Sequence, residues 1–172
     1  MPDRAGADAT EQLSDAVALW RVEAASASDV VDAAVNCLVA NVDSPALREL
    51  AGESPRESRF NLDPLVDQAL DELGIDRVTI ANPQRAALTA VLKRYKRGEL
   101  TASAAAQWAH TYIGHNGDDA CQIFVDFDDM YDTVDYASYT VADLDEWMAE
   151  ESDAFLAGRA SPGRTDIWRR GF

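Results

Sequence analysis

A chain of 172 residues with 47% hydrophobic content, 30 alanines and only 9 glycines can bury a core without staples, and it favours helix because alanine sacrifices no side-chain entropy there. Its formal charge of −16 and pI near 4.3 repel nucleic-acid phosphates, which argues against direct DNA or RNA binding. A basic protein partner is favoured instead, the plainer reading being that acidity serves only solubility.

The polar start, about residues 1–9, is expected to fray. Leu13, Ala16, Val17 and Trp20 then recur at helical spacing on one face of a first helix. Ser28 is the expected cap of a second, with the stripe Val31, Ala34, Val35, Leu38 and Val42. Asp29 and Asp32 stand in its first turn, where the dipole favours negative charge. Ser44-Pro45 opens a third helix that faces Leu47 and Leu50 inward and stops at Gly52. Ser54-Pro55-Arg56-Glu57 has capping-box spacing for a single turn. Asp63-Pro64 opens the next helix, with Val66, Ala69, Leu70 and Leu73 inward and Gly74 at its end. Residues 75–80 alternate apolar and polar, but a lone strand has no partner, so they read as an extended connector.

Asn82-Pro83 begins a helix with the stripe Ala87, Leu88, Val91, Leu92 and Tyr95. Its last turn carries Lys93, Arg94, Lys96 and Arg97, cations that offset a helix dipole before Gly98. Thr101 caps a helix with Ala105, Trp108, Ala109 and Tyr112 inward and Gly114 at its stop. The acidic stretch from Asp118 to Asp135 follows, burying Ile123, Phe124, Phe127, Tyr131 and Val134. Thr140 and Asp143 form a capping box for a final helix with Leu144, Trp147, Met148 and Phe155. The Arg-rich tail, about residues 158–172, offers Trp168 and Phe172 as anchors. No repeat or long linker divides the chain, so residues 1–172 are expected to form a single all-α domain, a compact bundle of about seven or eight helices.

Cys37 and Cys121 lie inside apolar helical patterns without CxxC spacing and read as buried reduced thiols. No apolar run approaches the roughly 18 residues of a membrane span, and Met1 to Asp8 has no signal-peptide core. A cytoplasmic protein away from membranes is expected, although a specialised secretion machine would leave no such mark. Of the 15 basic residues 13 are Arg, which, with the alanine excess, suggests a GC-rich genome or a salt-loving host and says nothing about mechanism.

Between Gly98 and Gly158 stand fourteen Asp and Glu residues and no Lys or Arg. Within them, Asp128-Asp129-Met130-Tyr131-Asp132 has the DDxxD spacing with which some enzymes hold magnesium and a diphosphate. Those enzymes need a longer chain and a second motif, and the helix from Asp143 to Asp153 supplies none. His110 and His115 stand five residues apart, a spacing that points two side chains of one helix to different sides and argues against a shared metal. His115-Asn116-Gly117-Asp118-Asp119 reads as a loop whose histidine caps the preceding helix or meets a carboxylate. No nucleophile–base set and no glycine-rich phosphate loop can be assembled. No catalytic residue, metal or cofactor is therefore predicted.

The run Leu92-Lys93-Arg94-Tyr95-Lys96-Arg97-Gly98-Glu99-Leu100-Thr101-Ala102, with Trp108, Tyr112 and Tyr131-Asp132-Thr133-Val134-Asp135, resembles the small helical immunity proteins of the colicin D type over residues 88–156. The N-terminal half, through Ala18-Leu19-Trp20-Arg21-Val22 and residues 43–52, is similar to small uncharacterised actinobacterial helical proteins, which supply no chemistry. The immunity resemblance implies an inhibitor whose acidic face covers the cationic groove of a nuclease toxin. An N-terminal part of about 80 residues departs from that pattern. The expectation is a non-enzymatic interaction protein, an immunity- or antitoxin-like inhibitor, with Asp126, Asp128, Asp129, Asp132 and Asp135 as contacts and Tyr131 or Tyr136 as aromatic anchors. With Phe127 and Tyr131 inward, not all five acids can meet one partner. The alternatives are a metal-dependent helical hydrolase using the carboxylates of Asp128 to Asp132, and a structural or regulatory subunit of a complex.

Overall fold

The structure, a computed structural model, describes residues 4–75 and 81–161. Most of the expected connector, and the anchors Trp168 and Phe172, lie outside the described residues. Among the described residues there are eight α-helices and no strand: α1 (Arg4–Arg21), α2 (Ala27–Val39), α3 (Pro45–Ala51), α4 (Arg59–Leu73), α5 (Pro83–Lys96), α6 (Ala102–Tyr112), α7 (Gln122–Thr133) and α8 (Val141–Leu156). Single 3-10 turns at Asp119–Cys121 and Val134–Tyr136 flank α7. The all-α bundle read from the alanine content and the helical stripes is what forms. Its chain divides into two compact units, Met1–Ala87 and Leu88–Phe172. The division falls inside α5, where no linker-like composition announces it.

In the first unit, α1 already includes residues 4–9, assigned to a fraying end by their polar composition. Ser26, not Ser28, caps α2, because Asp29 three residues on accepts from the Ser26 backbone N–H at 2.7 Å and completes the box. That exchange holds the Asp29 carboxyl below its usual range, the Ser26 hydroxyl contributing most. The buried face of α2 is Ala27, Val30, Val31, Ala33, Ala34 and Cys37, so Val35, expected inward, is exposed. Cys37 is a buried free thiol that donates to the Ala9 carbonyl at 3.3 Å. Ser44 caps α3 as its sequence predicts.

The start of α4 differs from expectation. The helix begins after Ser58, and Pro64 lies within it. Proline there removes a hydrogen bond to the carbonyl four residues back. Tertiary contacts hold the helix on both sides of the defect: Leu62 and Val66 are buried, Trp20 Nε1 donates to Asp63 Oδ1 at 2.8 Å, and Arg21 pairs with Asp63 at 3.4 Å and with Asp67. Arg59 lies over the Trp20 ring, 4.7 Å from its centroid. Asp63 is thus a tertiary partner and not a helix cap.

In the second unit, Leu88, Val91 and Leu92 of α5 are buried and Tyr95 is half-buried. The cations at its end are matched locally. Glu99 accepts from Arg97 Nε at 2.5 Å and from Arg94 Nε at 3.3 Å, and Lys96 meets Asp153 at 2.7 Å. On α6 the inward face is Ala102, Ala105, Ala106 and Ala109; Trp108 is half-buried and Tyr112 exposed, their rings 5.3 Å apart. These two aromatics were expected inward, but a face of alanines leaves room for the larger side chains of α7, with which α6 packs most extensively. From α7 come Phe124, Val125, Phe127 and Met130, whereas Ile123, Tyr131 and Val134 are only partly covered. Thr140 and Asp143 form the predicted capping box of α8, which buries Leu144 and Met148, while Phe155 meets the Phe124 ring edge-on at 5.4 Å. No helix among the described residues is long and apolar enough to cross a membrane.

Asp63→Ser is a substitution that a helix N-cap would tolerate. Here it is expected to cost about 1–3 kcal/mol, since it strips Trp20 and Arg21 of a shared acceptor. Urea unfolding followed by circular dichroism measures this, and a neutral result would return the helix start to Asp63.

Candidate functional site

The acidic helix does not present its carboxylates as a uniform face. What divides them is the turn between α6 and α7. Helix α6 ends at Tyr112, and the Gly114 N–H bonds back to the Ala109 carbonyl at 3.2 Å with φ at +67°, a left-handed conformation that suits glycine. The Gly117 N–H closes the next turn on the Gly114 carbonyl at 3.1 Å, and Gln122 at the start of α7 donates to the same oxygen at 3.0 Å. This reversal brings the His115 ring edge-on to His110, with centroids 4.8 Å apart. The five-residue spacing suggested divergence only because it assumed one continuous helix; His115 lies beyond the helix end.

Facing the two rings are the carboxylates near the middle of α7. His110 Nδ1 and Asp128 Oδ2 are hydrogen-bonded at 2.8 Å, with the Asp128 side chain only 17% exposed. An ionised carboxylate has no hydrogen to give, so Nδ1–H is the donor. Asp129 lies between the rings, Oδ1 at 3.7 Å from His110 Nδ1 and Oδ2 at 3.5 Å from His115 Nε2. One nitrogen from each histidine and one Asp129 oxygen lie within 4.8 Å of one another, close enough for these three residues to share a metal ion. Asp126 is a third nearby carboxylate. Burial, then the neighbouring charge of Asp129, push its carboxyl above the usual range, against a smaller opposing effect of His115. Asp126 also borders a cavity of about 440 Å³ lined by Phe124, Glu151, Phe155 and Arg159.

The remaining predicted contacts lie elsewhere. Tyr131 is half-buried and donates its hydroxyl to Asp145 Oδ1 at 2.6 Å; burial and that bond raise its ionisation well above the usual phenol range. Asp132 is exposed on the last turn of α7, and Asp135 and Tyr136 are exposed on the 3-10 turn that follows. Tyr136 is 93% exposed. The seven residues therefore separate into three beside the histidines, one bound to α8, and three at the exposed end. The DDxxD carboxylates divide too, Asp128 and Asp129 turning to histidine and Asp132 to solvent.

Sequence reasoning allowed His115 to meet a carboxylate from its loop, as it does at Asp129, but missed the His110–Asp128 bond and the meeting of the two rings. A usable signal was present, because Asp128 follows Phe124 by four residues and Val125 by three. It therefore falls on the buried flank, where a carboxylate requires a partner. His110 follows the buried Ala106 by four residues on the facing helix.

Because Asp126 has a raised carboxyl pKa, the folded state favours its protonated form, and its charge destabilises the fold above that raised pKa. Asp126→Asn is expected to raise the urea midpoint at pH 7. The gain should shrink as pH falls through the raised value toward the unfolded one, where both states carry the proton. Paired urea titrations at pH 7 and near pH 4 check this. No family model, no curated protein and no solved structure matches the chain.

Proposed function

We propose that this chain is a non-enzymatic acidic interaction protein, an immunity- or antitoxin-like inhibitor that docks on a basic protein partner such as a nuclease toxin. The observation that carries the reading is Tyr136, 93% exposed between the exposed acids at the end of α7 and the start of α8. Neither the Asp132 nor the Asp135 carboxylate has a hydrogen bond or ion pair among the described residues. A bulky ring left in water next to free carboxylates has the chemistry of an interface anchor. It buries a large apolar area on contact, with two torsions to fix, while the charges around it accelerate approach to a cationic groove. At the end of α5, Arg94 and Arg97 are paired with Glu99 and Lys96 with Asp153.

On this reading the contact set narrows to Asp132, Asp135 and Tyr136. Asp128, Asp129 and Tyr131 already have partners within the chain. Replacing Asp132 and Asp135 by Lys with Tyr136→Ala should leave the helical circular dichroism unchanged and abolish partner binding. Affinity capture from the native host with both baits, at low and high salt, tests it. A basic protein retained by the natural bait, lost as salt rises and absent from the variant bait supports the docking surface. Equal retention by both baits overturns it.

A further inference from the structure

His110 and Asp128 are hydrogen-bonded, but the spacings of Asp129 from the two histidines are not explained by hydrogen bonds. Asp129 meets one ring through each carboxylate oxygen, Oδ2 standing 3.5 Å from His115 Nε2 and Oδ1 3.7 Å from His110 Nδ1. Both are too long for good hydrogen bonds, whose donor–acceptor distances run to about 3.2 Å. Ligands of one cation have a different spacing. With metal–nitrogen and metal–oxygen bonds of about 2.0–2.2 Å, neighbouring donors stand about 3.0 Å apart in an octahedral site and about 3.4 Å apart in a tetrahedral one. The 2.8 Å between His110 Nδ1 and Asp128 Oδ2 and the 3.5 and 3.7 Å to Asp129 bracket those edges.

We propose that His110, His115, Asp128 and Asp129 form a binding site for one divalent transition cation of the Zn2+ class. Two imidazoles with two carboxylates are the donor set of a borderline cation; Mg2+ and Ca2+ prefer oxygen alone. Binding moves the proton that His110 Nδ1 donates to Asp128 onto Nε2 of the same ring, so the imidazole stays a neutral ligand with its Nδ1 lone pair on the cation. Asp128, freed of that hydrogen bond, becomes the fourth donor. The charge favours the cation, because three carboxylates, counting Asp126, crowd two imidazoles. The elements are also firmly placed: His110, Asp128 and Asp129 stand on the closely packed α6 and α7, and only His115 comes from a loop, itself tied down through Gly114 to Gln122. Nothing in this site depends on the docking surface, which involves other residues at the end of α7.

The test uses the full chain, stripped with chelator and titrated with Zn2+ in a calorimeter, with Co2+ as the optical probe. One saturable site per chain is expected, along with visible Co2+ absorption of a low-symmetry four- or five-coordinate centre. His115→Ala and Asp129→Asn should each weaken Zn2+ at least about tenfold. His115 is exposed and on a loop, so its removal leaves the helices intact, as circular dichroism will show. Asp132→Asn, one turn beyond the site, should bind like the natural chain. Absence of saturable binding overturns the site, as does binding that survives both ligand substitutions or is weakened equally by Asp132→Asn.

Discussion

Helix α7 must bury a face of Phe124, Val125, Phe127 and Met130 while carrying Asp126, Asp128, Asp129 and Asp132 in the same twelve residues. With 3.6 residues per turn, so wide an apolar face leaves too little outer surface for every carboxylate. Asp128 falls toward the inner side, where it is largely cut off from water, so it requires a donor from the neighbouring helix. His110 provides that donor. Alanines around it allow α6 to lie against α7, and the reversal at Gly114 adds His115 to the same place. The electrostatics of the second unit depend on this accommodation.

A division of labour along one helix follows. Midway along α7 the acids are engaged inside the unit, and that is where a cation of borderline character finds nitrogen and oxygen donors. At its end they are free and stand beside a bare aromatic ring. Negative charge alone would have assigned both places the same role. Burial separates them, because a half-buried carboxylate answers to its immediate neighbours whereas an exposed one answers to whatever diffuses toward it. The metal-holding and partner-docking readings, alternatives when the aspartates are treated as one motif, therefore concern different residues.

The first unit shows the same principle at Asp63. Asp63 precedes a proline, and by local chemistry it should open a helix. It instead accepts from Trp20 and pairs with Arg21, and α4 runs through Pro64 from a serine six residues earlier. Buried contacts on both sides of the proline outweigh one lost backbone bond. A penalty of about 3 kcal/mol for proline inside a helix is small enough to be overridden in this way.

Much of the architecture was legible in the residues themselves. The all-α class, the caps at Ser44, Thr101 and Thr140, the inward stripe of α5 and the ends at Gly74 and Gly114 depend on side chains acting within about four residues of their own backbone. Periodicity and capping report such effects directly. The start of α4, the outward turn of Tyr112, the division inside α5 and the meeting of His110, His115, Asp128 and Asp129 were not legible. Those outcomes depend on which faces pack together and how a loop reverses. The His110–Asp128 bond joins residues eighteen apart, and His115 reaches its place only because the helix stops before it. Local chemistry determined the pieces and most of their ends; the burial of α7 against α6 decided which of its charges remain free.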